Sequence, residues 1–139
     1  MERRSVVLDA NILIRAVLGN RVRAILEAHA GNMSFFVPEA AYAEAEEHLP
    51  VLIERRGGDP AAGLRSLRSI ASLATIIALD LYSDFEIEAR KRLGARDPDD
   101  WPILAAALAL DCPIWTEDTD FFGCGVATWT SRNIGIFLA

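Results

Sequence analysis

Short apolar runs with β propensity alternate with longer stretches of helical periodicity along this chain, and this alternation constrains the fold more than any other feature. A strand that feeds a helix, which returns to a further strand, builds a parallel sheet with helices on both faces. The sequence therefore predicts an α/β domain with a central parallel sheet of four to five short strands. The predicted strands cover residues 5–8, 34–37, 74–79, 113–116 and 126–129.

The predicted helices lie between these strands, at residues 11–18, 22–30, 39–56, 60–71, 85–93 and 101–110. Pro50 lies inside the third helix and predicts a kink or a break there, because proline removes a backbone donor. Asp84 is a suitable N-cap for the helix 85–93. The run 74–79 is apolar nearly throughout, which is typical of a parallel strand covered on both faces.

The length and composition indicate one globular domain over residues 1–139. Hydrophobic residues make up 52% and charged residues 24% of the chain, which excludes a disordered tail. No apolar run approaches the ~18 residues that a membrane-spanning helix needs. Charges follow the first residue at once, so we expect no secretory signal, a cytoplasmic protein, and reduced thiols at Cys112 and Cys124.

The charge balance argues against binding to nucleic acid through bulk electrostatics. Twenty Asp and Glu residues face fourteen Lys and Arg residues, for a formal net charge of −6. Phosphate backbones are bound mainly by cationic side chains. Any chemistry on nucleic acid would therefore need a local device, such as a bound metal ion or a cluster of arginines.

Acidic residues follow the predicted strands at the points where those strands end. Asp9 follows the first strand, and Glu44 lies in the helix after the second. Asp118 comes directly after the fourth strand, and Asp97 and Asp100 open the helix before it. The carboxyl ends of parallel strands form the edge at which α/β sheets bind ligands. Several carboxylates converging there repel one another unless a cation holds them, and all-oxygen ligands suit Mg²⁺ or Mn²⁺.

Each acidic residue also has a purely structural interpretation. Asp9 could be a helix N-cap, and so could one residue of the Asp97–Asp100 segment. Glu44 could belong to a solvated helix face, and Asp118 could stabilise a turn. Capping explains one acid per element, but it does not explain surplus acids at successive strand ends. We therefore favour the metal site.

Four segments of the chain resemble the motifs of the PIN-domain nucleases, a family that includes the VapC-type toxins of toxin–antitoxin pairs. The first motif, an Asp after strand one with Asn or Thr two residues later, is matched by Asp9 and Asn11. The second, a Glu on the helix after strand two, is matched by Glu44. Asp100 matches the metal-binding Asp of the third motif, and Asp118 matches the fourth. The resemblance covers nearly the whole chain in the right order.

This resemblance implies a three-layer α/β/α sandwich and Mg²⁺- or Mn²⁺-dependent endonuclease activity, usually on RNA. Glu46 or Glu47 could replace Glu44 as the acid of the second motif; we choose Glu44 from its distance to Pro38. Thr116 or Thr119 would supply the hydroxyl near the fourth Asp. The implied metal ligands are Asp9, Glu44, Asp100 and Asp118, and the implied auxiliary residues are Asn11, Asp97, Asp120 and Thr116.

The resemblance also implies partners, namely an RNA substrate, an antitoxin protein and a second copy in a homodimer. Arg15, Arg21 and Arg23 follow the first motif and are candidates for contacts with the RNA backbone. The two histidines, His29 and His48, fall on predicted helices away from the motifs, and we expect neither in the site.

Two other functions deserve comparison with a ribonuclease. The first is a nucleic-acid-binding or scaffold module of the same fold with weak or no nuclease activity, and a dead site would have no reason to keep every acid. A phosphotransfer enzyme that uses Asp9 as its nucleophile needs a second Asp close behind it and a Lys. This chain has Asn11 at the first position, and Lys91 is its only lysine. The sequence favours the metal-dependent nuclease.

Overall fold

A computed structural model describes residues 3–139 and shows a five-stranded sheet with helices around it. The strand order is β3-β2-β1-β4-β5, and every neighbouring pair is parallel. The strands are β1 (Arg4–Leu8), β2 (Met33–Pro38), β3 (Thr75–Ile77), β4 (Ile114–Trp115) and β5 (Thr128–Trp129). The helices are α1 (Ala10–Leu18), α2 (Arg21–His29), α3 (Glu39–Arg55), α4 (Pro60–Ala71), α5 (Leu79–Tyr82), α6 (Glu86–Leu93), α7 (Trp101–Leu110) and α8 (Ile134–Leu138).

The central strand β1 shows that helices cover both faces of the sheet. Val6, Val7 and Leu8 are all fully buried, and successive residues of a strand point to opposite faces. Helices α1 to α4 pack against one another, and α5 and α6 pack against α7. Helix α7 contacts β1, β2 and β4, and its residues from Ile103 to Ala107 are all buried. The predicted three-layer α/β/α sandwich with a parallel sheet is confirmed.

The strand β3 differs from its prediction in length and in burial. It spans three residues instead of six, and Leu79 begins α5 instead of ending the strand. Ile76 is 43% exposed. The expected burial on both faces is wrong because β3 lies at an edge of the sheet and pairs only with β2.

The helix α3 continues through Pro50 without a break. Leu49 and Ile53, on either side of the proline, are both buried in the core. Burial of this apolar face holds the helix together where one backbone hydrogen bond is lost. A short 3₁₀ turn at Ser83–Phe85 separates α5 from α6, and Asp84 does not cap α6.

The last helix, α8, was not predicted, because its five residues are too few to show a helical period. No helix within residues 3–139 combines the length and the apolar character that crossing a bilayer requires.

Candidate metal centre

The carboxylate of Asp9, at the carboxyl end of β1, accepts three hydrogen bonds. It caps α1 by accepting from the amide of Ala10 at 2.7 Å, and it is 5% exposed. Its Oδ2 atom accepts from the hydroxyl of Thr116 at 2.7 Å and from the side-chain amide of Asn11 at 3.2 Å. The predicted capping role and the predicted site position therefore both apply to this one carboxylate.

Thr116 reaches Asp9 because β1 and β4 are neighbours in register. Leu8 pairs with Trp115, so the next residues of both strands leave the sheet side by side. The Thr116 side chain also accepts from the amide of Asp118 at 2.9 Å, which turns the chain back over the sheet edge. Thr116, and not Thr119, thus supplies the hydroxyl at this edge.

Three further carboxylates meet beside Asp9. Asp97 precedes a 3₁₀ turn at Pro98–Asp100 that leads into α7, Asp100 ends that turn, and Asp118 follows β4. One carboxylate oxygen of each lies within 4.8 Å of the other two. We call Asp97, Asp100 and Asp118 the carboxylate cluster.

Burial, together with neighbouring carboxylates, raises the pKa values of two site carboxyls. Partial burial, hydrogen bonding to Asp97 and the charge of Asp9 raise the pKa of Asp100 to about 8. Burial raises the pKa of Asp9 to about 6, against the opposing hydrogen bonds from Thr116 and Ala10. The site therefore disfavours charge on both carboxyls when no counter-ion is bound, and a bound cation would remove that cost.

A cavity of about 300 Å³ joins the carboxylate cluster to Asp9, Asn11 and Glu44. Glu44 is exposed on α3, and its charge contributes to the raised pKa of Asp9. An adjoining cavity of about 210 Å³ shares Asp9, Glu44 and Asp100 with the first, and adds Glu47 and Asp99. Glu44 lines both cavities, whereas Glu46 lines neither.

The donor set fits Mg²⁺ or Mn²⁺. Five carboxylates line the first cavity, against one imidazole, that of His48, and no thiol lines it. Hard divalent cations prefer such ligands, while zinc and copper prefer nitrogen and sulfur.

His48 lines both cavities, although the sequence places it away from the motifs. It lies one helical turn after Glu44 on α3, so the two side chains share a face of the helix. The four-residue spacing between Glu44 and His48 could have identified His48 from the sequence. Two other residues at this edge, Glu117 and Ser131, were also missed, because only the pairing of β4 with β5 brings them together.

The remaining predicted residues lie at the margins. The amide of Asp120 donates to Asp118 at 2.9 Å, but Asp120 lines neither cavity. Arg15 and Arg21 line a separate groove. Arg23 instead bonds to Ser66 at 3.1 Å and lies 3.6 Å from Glu27, outside that groove.

Comparison with protein families gives one match over nearly the whole chain. A family model described as PIN domain matches residues 7–139. No curated protein sequence matches.

Several solved structures share the fold. VapBC2 from Rickettsia felis, bound to a DNA fragment from its promoter, has a TM-score of 0.69 at 18% identity, over 91% of this chain and 98% of that one. A toxin–antitoxin complex from Klebsiella pneumoniae has a TM-score of 0.65 at 20% identity, over 91% and 97%. FitAcB from Neisseria gonorrhoeae has a TM-score of 0.64 at 21% identity, over 92% and 99%.

Proposed function

This chain belongs to the PIN-domain family, and on that premise we propose that it is a Mg²⁺- or Mn²⁺-dependent endoribonuclease that acts as the toxin of a toxin–antitoxin pair. The carboxylate cluster carries this proposal, because three carboxylate oxygens within 4.8 Å of one another are costly without a cation. The position of the cluster beside the buried Asp9, at the carboxyl edge of the sheet, supports the same interpretation.

We assign metal binding to Asp9, Glu44, Asp100 and Asp118, four of the five acids that line the larger cavity, and an outer position to the fifth, Asp97. A divalent cation held by these residues would supply Lewis acidity, which would activate a water for attack on a phosphodiester and would stabilise charge on the leaving 3′ oxygen.

The auxiliary residues orient these carboxylates. The hydroxyl of Thr116 fixes one oxygen of Asp9 and accepts from the amide of Asp118, so it sets the spacing between the two acids. Asn11 donates to both Asp9 and Thr116, at 3.2 and 3.3 Å. Asp97 adds a carboxylate to the cluster.

The amide of Asp120 donates to Asp118 and restricts that carboxylate's rotation. We propose that the carboxylate of Asp120 is an outer ligand that contacts the cation through a water molecule.

The proposed partners are RNA, an antitoxin and a second copy of the chain, in the cytoplasm. The structural neighbours include a toxin–antitoxin complex, which supports an antitoxin partner. Support for a dimer comes from exposed apolar side chains along one stretch, among them Ile76, Leu79 and Ile87 at 43%, 46% and 85% exposure. Light scattering of the isolated chain tests the dimer, and co-purification with a co-expressed neighbouring gene product tests the antitoxin.

The direct test is cleavage of a single-stranded oligoribonucleotide and of its DNA counterpart, with Mn²⁺ and with EDTA. We expect cleavage of the RNA, dependence on the metal, and loss of activity in Asp100→Asn. Asp84→Asn, an exposed acid on the 3₁₀ turn after α5, is the matched control and should cleave like the wild type. Equal cleavage in EDTA, or full activity of Asp100→Asn, would refute the proposal, and DNA-only cleavage would refute its RNA part.

A further inference from the structure

A second groove, with a volume of about 480 Å³, is lined by cationic side chains. Arg15 comes from α1 and Arg21 from the first turn of α2, and Arg56 directly follows α3. We call these three residues the arginine groove. No acidic side chain lines it, in contrast to both cavities of the metal centre.

The charge of the arginine groove is not neutralised within residues 3–139. Three other arginines, Arg23, Arg90 and Arg92, each pair with a Glu one helical turn away. Arg15, Arg21 and Arg56 form no ion pair with any described residue. An uncompensated cationic groove in a chain of net charge −6 indicates an anionic ligand.

The groove is connected to the metal centre by a chain of hydrogen bonds. The amide of Glu117 donates to the side chain of Asn11 at 3.2 Å, and the Glu117 carboxylate accepts from the amide of Ser131 at 2.7 Å. The carbonyl of Ser131 in turn accepts from Arg21 at 3.3 Å. Ser131 lines the groove, is 6% exposed, and follows β5 at the same sheet edge as Asp118. The groove and the metal centre therefore share one rim of the protein.

The backbone around the groove suits phosphate groups as well. The first turn of α2 forms one wall, and Asn20 at its N-cap makes no side-chain capping bond. Helix N-termini favour anions, although the arginines supply most of the charge. Gly57, at a φ of 77°, turns the chain directly after Arg56 and allows the sharp reversal between α3 and α4.

We propose that the arginine groove binds the phosphate backbone of the RNA strand beside the bond that is cut. That the bound strand is RNA rests on the proposed function. The further inference is where this RNA strand lies on the protein. The metal centre alone is acidic and repels a polyanion in the absence of metal, so the attraction must come from elsewhere on the rim. Arg side chains suit this task because their planar guanidinium groups contact phosphate through two hydrogen bonds.

The test is binding of a fluorescent oligouridylate in EDTA, followed by anisotropy at salt concentrations between about 50 and 200 mM. Each phosphate contact contributes about 0.7 to the slope of log affinity against log salt for single strands. We expect Arg21→Gln and Arg56→Gln each to lower that slope by about 0.7 and to weaken binding. Arg55→Gln is the matched control, since Arg55 is adjacent to Arg56 but does not line the groove.

Conservative variants separate charge from folding. Arg21→Lys and Arg56→Lys keep the charge and should keep the salt slope, and thermal melting should show that all variants fold. Wild-type slopes in Arg21→Gln and Arg56→Gln would overturn the proposal. So would a wild-type protein that binds oligoglutamate but not oligouridylate, because the groove would then belong to an acidic protein partner.

Cleavage in Mn²⁺, measured on the same proteins, distinguishes this proposal from the proposed function. The groove variants should raise KM and leave kcat near that of the wild type, since they do not touch the carboxylates. A wild-type protein that binds RNA through the groove but never cleaves it would refute the nuclease and support the groove. A protein that cleaves, with unchanged binding in the groove variants, would overturn the groove alone.

Discussion

Asp100→Asn should stabilise the metal-free protein while removing its activity. The substitution keeps the shape of the side chain and removes one ionisable group from the carboxylate cluster. In the wild type, burial and the neighbouring carboxylates raise the pKa of Asp100 to about 8, so the folded state holds a proton that the unfolded chain releases near the ordinary value of 3.8. That difference is a cost to folding at neutral pH, and asparagine does not incur it.

The size of the effect follows from the spacing of the cluster. Two unit charges separated by the 4.8 Å limit of the cluster repel by about 3.5 kcal/mol at an effective dielectric of 20, and by about 0.9 kcal/mol in water. The site opens to solvent, so we take about 1–2 kcal/mol. With an unfolding entropy of roughly 0.3 kcal/mol/K for a chain of 139 residues, Tm should rise by about 3–7 °C.

The sign of the effect depends on pH. Because the pKa of Asp100 is higher in the folded state, the stability of the wild type falls as pH rises from 3.8 to about 8. Below about pH 4 Asp100 is protonated in both states and costs the wild type nothing. The Tm advantage of Asp100→Asn should therefore be small at pH 4 and reach its full size near pH 8. Scanning calorimetry in a chelator at several pH values measures it, with Asp84→Asn as the control. A Tm difference independent of pH, or a variant less stable than the wild type at pH 8, would refute this reasoning.

Three further predictions concern the metal, the threonine and the core. Mn²⁺ at about 100 times its Kd should stabilise the wild type by about 2.7 kcal/mol and Asp100→Asn by much less. Equal shifts in Tm for the two proteins would contradict metal binding at Asp100. Thr116→Val should cost about 1–3 kcal/mol in chemical denaturation, because it removes the bond to Asp9 and the acceptor for Asp118. Thr116→Ser should retain most of that stability; a valine variant as stable as the serine variant would contradict the role of the hydroxyl. Leu104→Ala, fully buried in α7, should cost about 2–5 kcal/mol and leave Mn²⁺ affinity unchanged, and a parallel loss of affinity would contradict the separation of core from site.

The sequence predicted the order and type of most elements because local apolar patterning decides them. The buried run of β1 and the Ala- and Leu-rich α7 were both recognised in this way. Strand order could not be predicted, since it depends on which runs pair across the chain. For the same reason Ile76 was expected to be buried, and its place on an edge strand became apparent only from the sheet.

The sequence could predict those site residues that directly follow a strand. Asp9 and Asp118 follow adjacent parallel strands, so the pairing of β1 with β4 brings them together. Asp100 was a candidate because it opens a helix near the last strands, but local patterning does not determine the path of that loop, and the family resemblance singled Asp100 out as a metal ligand. His48 was missed because its approach to the metal centre arises from tertiary packing, and Ser131 was missed because only the β4–β5 pairing brings it to Glu117.

The carboxylates at this sheet edge are proposed to hold a divalent cation. A calorimetric titration of the metal-free protein with Mn²⁺, run in parallel on the wild type and Asp100→Asn, tests this directly. We expect Mn²⁺ to bind to the wild type and to bind much more weakly to the variant. No binding to either protein, or equal affinity in both, would contradict it.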